Sequence, residues 1–168
     1  AKFATVTKGL IYKILWVWIL LGMPAEGFSQ QIAAFTDCNI GRKVSLFQDR
    51  ENALTLDSAV QLQAMGRFKP SDEQIINLGN SKSAFWLHLA YIVPRDRKLY
   101  LLLDVANIDY VDFYTWDGEN ALVQVHTGSL SAPVPGVSLT NTYCFELPPA
   151  GGGGMVRRIF MKVRSDNI

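Results

Sequence analysis

The chain has 168 residues, of which 49% are apolar and 18% charged, with 9 Phe, 6 Tyr and 4 Trp. That length suits one ordinary domain, and that composition excludes a disordered tail, a collagen-like repeat and a disulfide-dense miniprotein. Sixteen Lys and Arg against fifteen Asp and Glu leave a net charge of +1, so no global field draws the chain to nucleic acid.

Lys2, Lys8 and Lys13 precede or interrupt an apolar run over residues 10–23 that includes Trp16 and Trp18. The run is shorter than the roughly 20 apolar residues a bilayer-spanning helix needs. A basic leader, a short apolar run, then Pro24 and small residues are the three parts of a secretory signal peptide, with Gly27 and Ser29 at the −3 and −1 positions of a cleavage after Ser29. Residues 1–29 are therefore read as a signal peptide and residues 30–168 as an exported domain, with an uncleaved membrane anchor as the competing reading. The exported part holds 13 basic and 14 acidic side chains in 139 residues, enough chain for one real core. The text is read as a fragment of a longer product.

Both cysteines, Cys38 and Cys144, fall in the exported part, where an oxidising compartment permits a disulfide. Their single possible intramolecular pairing would clip the first exported segment to a late strand; free buried thiols are the alternative. Neither belongs to a metal pattern, since CxxC and HExxH are absent and His88 and His126 lie far apart, so no metal and no cofactor is expected.

Beyond a loop, residues 42–47 read as a first strand. Residues 56–65 form the one expected helix: Thr55 or Asp57 can cap it, Leu56, Val60 and Ala64 (or Ala59 and Leu62) recur at helical spacing, and Gly66 ends it. A polar stretch over 71–83 follows. Strands are then expected at 84–93, 99–105, 110–116, 122–127, 143–147 and 156–163. Asp117-Gly118 marks a hairpin between the fourth and fifth of the seven. The strands at 99–105 and 110–116 are separated by few residues and are expected to pair antiparallel. In the last strand Ile159, Met161 and Val163 share one face and Arg158, Lys162 and Arg164 the other, while Phe160 breaks the alternation. The glycines at 151–154 read as a hairpin turn without the context of a phosphate cradle. The expected fold is an all-β antiparallel sandwich with one short helix.

An enzyme needs a constellation of groups, and none is legible. Asp109 with Asp112, and Asp72 with Glu73, have no readable separation, His88 and His126 read as packed or solvated, and no GxSxG elbow occurs. No catalytic residue is assigned. Binding has a better basis. Sugar recognition needs flat aromatic faces for the ring and carboxylates or amides for its hydroxyls. Tyr110, Asp112, Tyr114 and Trp116, alternate residues of one strand, supply that chemistry on one face. An open face is a sugar platform; a covered one makes the same aromatics core. Trp86, in a nearly continuous apolar strand, reads as core, and the basic stripe of Arg158, Lys162 and Arg164 as a solvated strand face.

The ordered text carries a family resemblance. Phe85-Trp86-Leu87-His88-Leu89, Leu101-Leu102-Leu103-Asp104, Ile108-Asp109-Tyr110-Val111-Asp112-Phe113-Tyr114, Asp117-Gly118 and Thr127-Gly128 follow an opening of Ile40-Gly41-Arg42-Lys43-Val44, Leu46-Phe47-Gln48-Asp49 and Leu54-Thr55-Leu56. Over about residues 38–166 this resembles the type-two extracellular sensor domain of bacterial seven-transmembrane receptors with diverse intracellular signalling modules. The resemblance implies a jelly-roll-like fold akin to carbohydrate-binding modules, export, and a place before a seven-helix membrane segment. It further implies a cytoplasmic output such as a histidine kinase or diguanylate cyclase, and it transfers no catalytic residues. The expected role is an extracytoplasmic domain that senses a small molecule, a carbohydrate among the candidates, with the membrane as its downstream partner. The alternatives are a secreted carbohydrate-binding module of a larger exported enzyme, or a structural cell-surface sandwich.

Overall fold

A computed structural model describes residues 32–33, 39–79, 81–92, 98–104, 108–138, 142–148 and 156–166. The expected signal peptide, Cys38 and the 151–154 glycines lie outside the described residues, as does the Cys38–Cys144 pairing; Cys144 itself is half-buried. The elements run β1 (Ile32–Ala33), β2 (Val44–Asp49), α1 (Leu56–Ala64), β3 (Lys69–Pro70), β4 (Ala84–Ile92), β5 (Leu99–Leu103), β6 (Tyr110–Trp116), β7 (Leu122–Thr127), β8 (Tyr143–Leu147) and β9 (Val156–Arg164), with one 3₁₀ turn at Gly41–Lys43. All seven expected strands are present, within two residues at either end.

The larger sheet has the order β3-β2-β4-β9-β6-β7, and β1 runs parallel to the end of β4 that β2 leaves free. A second sheet pairs β5 with β8. The expected pairing of β5 with β6 does not form. β7 and β9 occupy both edges of β6, so the short connection carries the chain from one sheet to the other instead of turning it back. The expected hairpin at Asp117 exists, but Asn120, at φ 63°, takes its left-handed position, not Gly118. The Asp117 carboxylate accepts the amides of Glu119 and Ala121 at 2.9 and 2.8 Å and so shapes the loop.

Each face of the large sheet has its own core. On one, Leu89, Val111, Phe113, Ile159, Met161 and Val163 meet Phe145 and Leu147 of β8, with Leu101 and Leu103 of β5 alongside. On the other, α1 and Phe68 cover Trp86 and Phe160. That second cover explains the broken alternation of β9: its middle is buried on both faces, so Phe160 is as apolar as its neighbours. The helix buries Ala59 and packs Leu56, Val60 and Leu62 half-buried against the same core, so members of both phases open in the sequence face inward and only Ala64 is exposed. Its Thr55 cap accepts from Ser58 N at 3.4 Å. At the other end Gly66, at φ 68°, lets its own amide reach Gln63 O and that of Arg67 reach Leu62 O, the Schellman arrangement.

Candidate functional site

Alternation along β6 sends Val111, Phe113 and Thr115 into the inter-sheet core and leaves Tyr110, Asp112, Tyr114 and Trp116 half-buried on the opposite face. This is the face that α1 covers, but the helix packs over Trp86 and Phe160 and leaves the β6–β7 side partly open. The four residues expected to form a site are therefore together on one strand, midway between the two readings open to them. Tyr114 stacks on Trp86 with ring centres 6.0 Å apart, and Trp116 meets Phe160 edge-on at 6.1 Å. Each of these two aromatics thus has one side committed to packing.

Register then adds residues that strand β6 alone does not reveal. β7 places His126 opposite Asp112 and Gln124 opposite Tyr114. His126 Nδ1 lies 2.7 Å from Asp112 Oδ1, and its ring meets Tyr114 edge-on at 6.1 Å. Both His126 and Gln124 are exposed. The alternation of Gln124 and His126 in the sequence was the available signal, but it gains meaning only with the hairpin register. Burial, and secondarily the negative charge of Asp112, pushes the Tyr114 hydroxyl pKa above its usual value.

From the other side, β9 supplies cations. The Arg164 guanidinium lies 4.2 Å from the Tyr110 ring centre and pairs with Asp166, while Arg158 sits 5.9 Å from Trp116. Lys162 corrects the reading of a solvated basic stripe. Its side chain is only 15% exposed and lies 5.5 Å from the Trp86 ring centre. Its ammonium donates to Leu54 O at 3.1 Å and lies 3.6 Å from Asp49 Oδ2. A small hollow of about 210 Å³ remains among Asn52, Tyr110, Asp112, Lys162 and Arg164. The face thus offers a carboxylate–imidazole pair, an exposed amide and partly open aromatic rings: hydrogen-bonding groups beside apolar planes. Among the described residues no group of three His, Cys, Asp or Glu side chains is placed to hold a metal.

A family model described as 7TMR-DISM extracellular 2 matches residues 41–168. The chain belongs to this family. It is therefore an extracellular sensor domain of the 7TMR-DISM receptors, which lies on the periplasmic or extracellular side of the membrane. No curated protein matches the chain. The 7TMR-DISM assignment agrees with the largely antiparallel sandwich of the described residues.

Proposed function

We propose that this 7TMR-DISM domain is a direct ligand sensor that binds a small polar molecule, a carbohydrate by its chemistry, on the β6–β7 face. The observation that carries the reading is the Asp112–His126 pair, 2.7 Å apart and bordered by Tyr110 and Tyr114 on a face α1 leaves partly open. Carboxylate and imidazole suit sugar hydroxyls, and the tyrosine rings suit the apolar side of a pyranose. The domain acts by binding and not by chemistry on its ligand. The family's place in receptors supplies the output: the ligand biases one of two arrangements of the receptor, and only a difference in affinity between them moves that balance.

Strand β9 is the natural route from site to exit. It carries Arg158, Lys162 and Arg164 into the face, and directly after it Asp166 N is held by Asp109 at 2.6 Å, at the head of β6. The test is a titration of the isotope-labelled chain with a panel of neutral and acidic mono- and disaccharides. Binding is expected to shift amide signals of β6 and β7, and Asp112→Asn and Tyr114→Ala are each expected to weaken it about tenfold or more. Shifts confined to other surfaces, or none with any sugar, overturn the reading.

A further inference from the structure

The two sheets do not cover each other fully, and the uncovered part is a cleft of about 770 Å³. Interiors seldom keep voids larger than a water molecule, whereas a space of this size is in the range of ligand pockets. Its floor is the inner face of the large sheet, with Leu87, Leu89, Ile159, Met161 and Val163. Ile76 and Leu78, from the segment before β4, line the cleft as well.

The remaining wall is β5, and it is an edge. Leu101, Leu102, Leu103 and Asp104 all border the cleft in succession. Successive side chains of a strand point to opposite faces, so the three consecutive β5 residues Leu101 to Leu103, with Asp104 just beyond the strand, border one space where that space runs along the strand's edge. Among the described residues β5 pairs with β8 alone, which leaves that edge without a neighbouring strand. Leu102 is 61% exposed, an aliphatic side chain left open beside the unpaired edge.

From these observations we infer a second binding site: the cleft takes an extended, uncharged aliphatic peptide that adds a strand to β5. An unpaired edge offers alternating N–H and C=O groups that only another backbone matches in spacing, and an apolar floor offers places for alternate side chains. Charge argues for a neutral occupant. Asp104 and Arg164 are the charged residues bordering the cleft; Asp104 accepts from the Thr142 hydroxyl at 3.3 Å, and the Arg164 guanidinium is turned to Tyr110. Phe85 alone brings an aromatic ring, so the cleft lacks the paired planes and carboxylates of the β6–β7 face. This site is independent of the sugar reading.

The experiment uses the isotope-labelled 168-residue chain and an acetylated, amidated heptapeptide, Lys-Val-Thr-Val-Thr-Val-Lys, whose terminal lysines serve solubility alone. Added peptide is expected to shift the signals of β5 and of the Leu87 and Met161 methyl groups, and to slow exchange of the β5 amides turned away from β8. The same peptide N-methylated at alternate residues is expected to bind about tenfold more weakly or not at all, because it cannot pair with the edge. Met161→Trp, which fills the floor, is expected to abolish the shifts. Three results overturn the proposal: equal binding of the N-methylated peptide, shifts located away from β5, or β5 amides already fully protected in the free chain. The N-methyl comparison uses the unaltered chain, so it decides the question even where Met161→Trp misfolds. A failed sugar titration concerns the other face and does not bear on the cleft.

Discussion

Phe113 of β6 and Phe145 of β8 stack across the two sheets with ring centres 4.4 Å apart and planes 7° from parallel. Each residue is about 1% exposed and each belongs to a different sheet, so this pair ties the small β5–β8 sheet to the large one. Truncating a fully buried phenylalanine costs about 3–5 kcal/mol in transfer and cavity terms. Phe113→Ala and Phe145→Ala are each expected to lose that much by denaturant unfolding. Their double variant is expected to lose less than the sum, since the rings lie against one another. Strict additivity would show that the stack is not the tie.

A second tie fixes the end of β9. Asp109 is 2% exposed, and its carboxylate accepts from Ser129 Oγ at 2.8 Å, Ser165 Oγ at 3.2 Å and Asp166 N at 2.6 Å. Its backbone is tightly enclosed too: a Cβ on Gly128, which adopts φ 137°, would lie 2.2 Å from Asp109 O. Asp109→Ala leaves three donors without their acceptor and is expected to cost about 2–4 kcal/mol. In hydrogen exchange the Asp166 amide should be among the first to lose protection. If protection there is unchanged, the clasp does not hold the end of β9.

His88 gives the fold a pH dependence. It is 3% exposed, faces Phe160 and Phe68, and has Ser45 Oγ 3.3 Å from Nδ1. Burial, with a smaller contribution from the Arg158 charge, lowers its pKa from 6.5 to about 4. The unfolded chain therefore takes up the proton first as pH falls. The associated stability is complete above about pH 6.5 and drains away toward pH 4, with about 2 kcal/mol lost between pH 7 and pH 5. His88→Phe keeps the ring packing and removes the titration. Urea unfolding at several pH values should show a shallower slope over that window in the variant. Equal slopes would mean that His88 titrates normally.

The strands and the helix were legible because they rest on local signals. Alternation, and Thr55 and Gly66 around a helical repeat, act within a few residues. Sheet membership was not. The chain passes from Leu103 to Tyr110 in a short span whether it turns back or crosses over, and only the competition of β7 and β9 for the edges of β6 decides between them. The same holds for the site. Tyr110, Asp112, Tyr114 and Trp116 share a face by the period of a strand, but His126 reaches Asp112 through hairpin register, and that register runs through a turn whose left-handed residue is Asn120. Phe160 breaks a two-residue period because α1, far earlier in the chain, covers it.

Lys162 is the residue where that distance matters most, since its stripe looks solvated and its ammonium is not. It approaches Asp49 Oδ2 at 3.6 Å, and Asp49, 4% exposed, also accepts the amides of Ala53 and Leu54 at 3.2 and 3.0 Å. Lys162 in turn donates to Leu54 O at 3.1 Å, so one cation and one anion hold both sides of the turn that leads into α1. Removing one partner of a buried pair strands the other, at about 3–5 kcal/mol, whereas removing both together can be close to neutral. Lys162→Met is therefore expected to be strongly destabilising in denaturant unfolding. Asp49→Asn, which keeps an acceptor for one of the two amides, is expected to cost less, and the Lys162→Met/Asp49→Asn double variant to recover part of the loss. The sign of that coupling decides the matter. Full additivity would assign the effect of Lys162 to its contact with the Trp86 ring and to the carbonyls, and leave Asp49 as a turn cap alone.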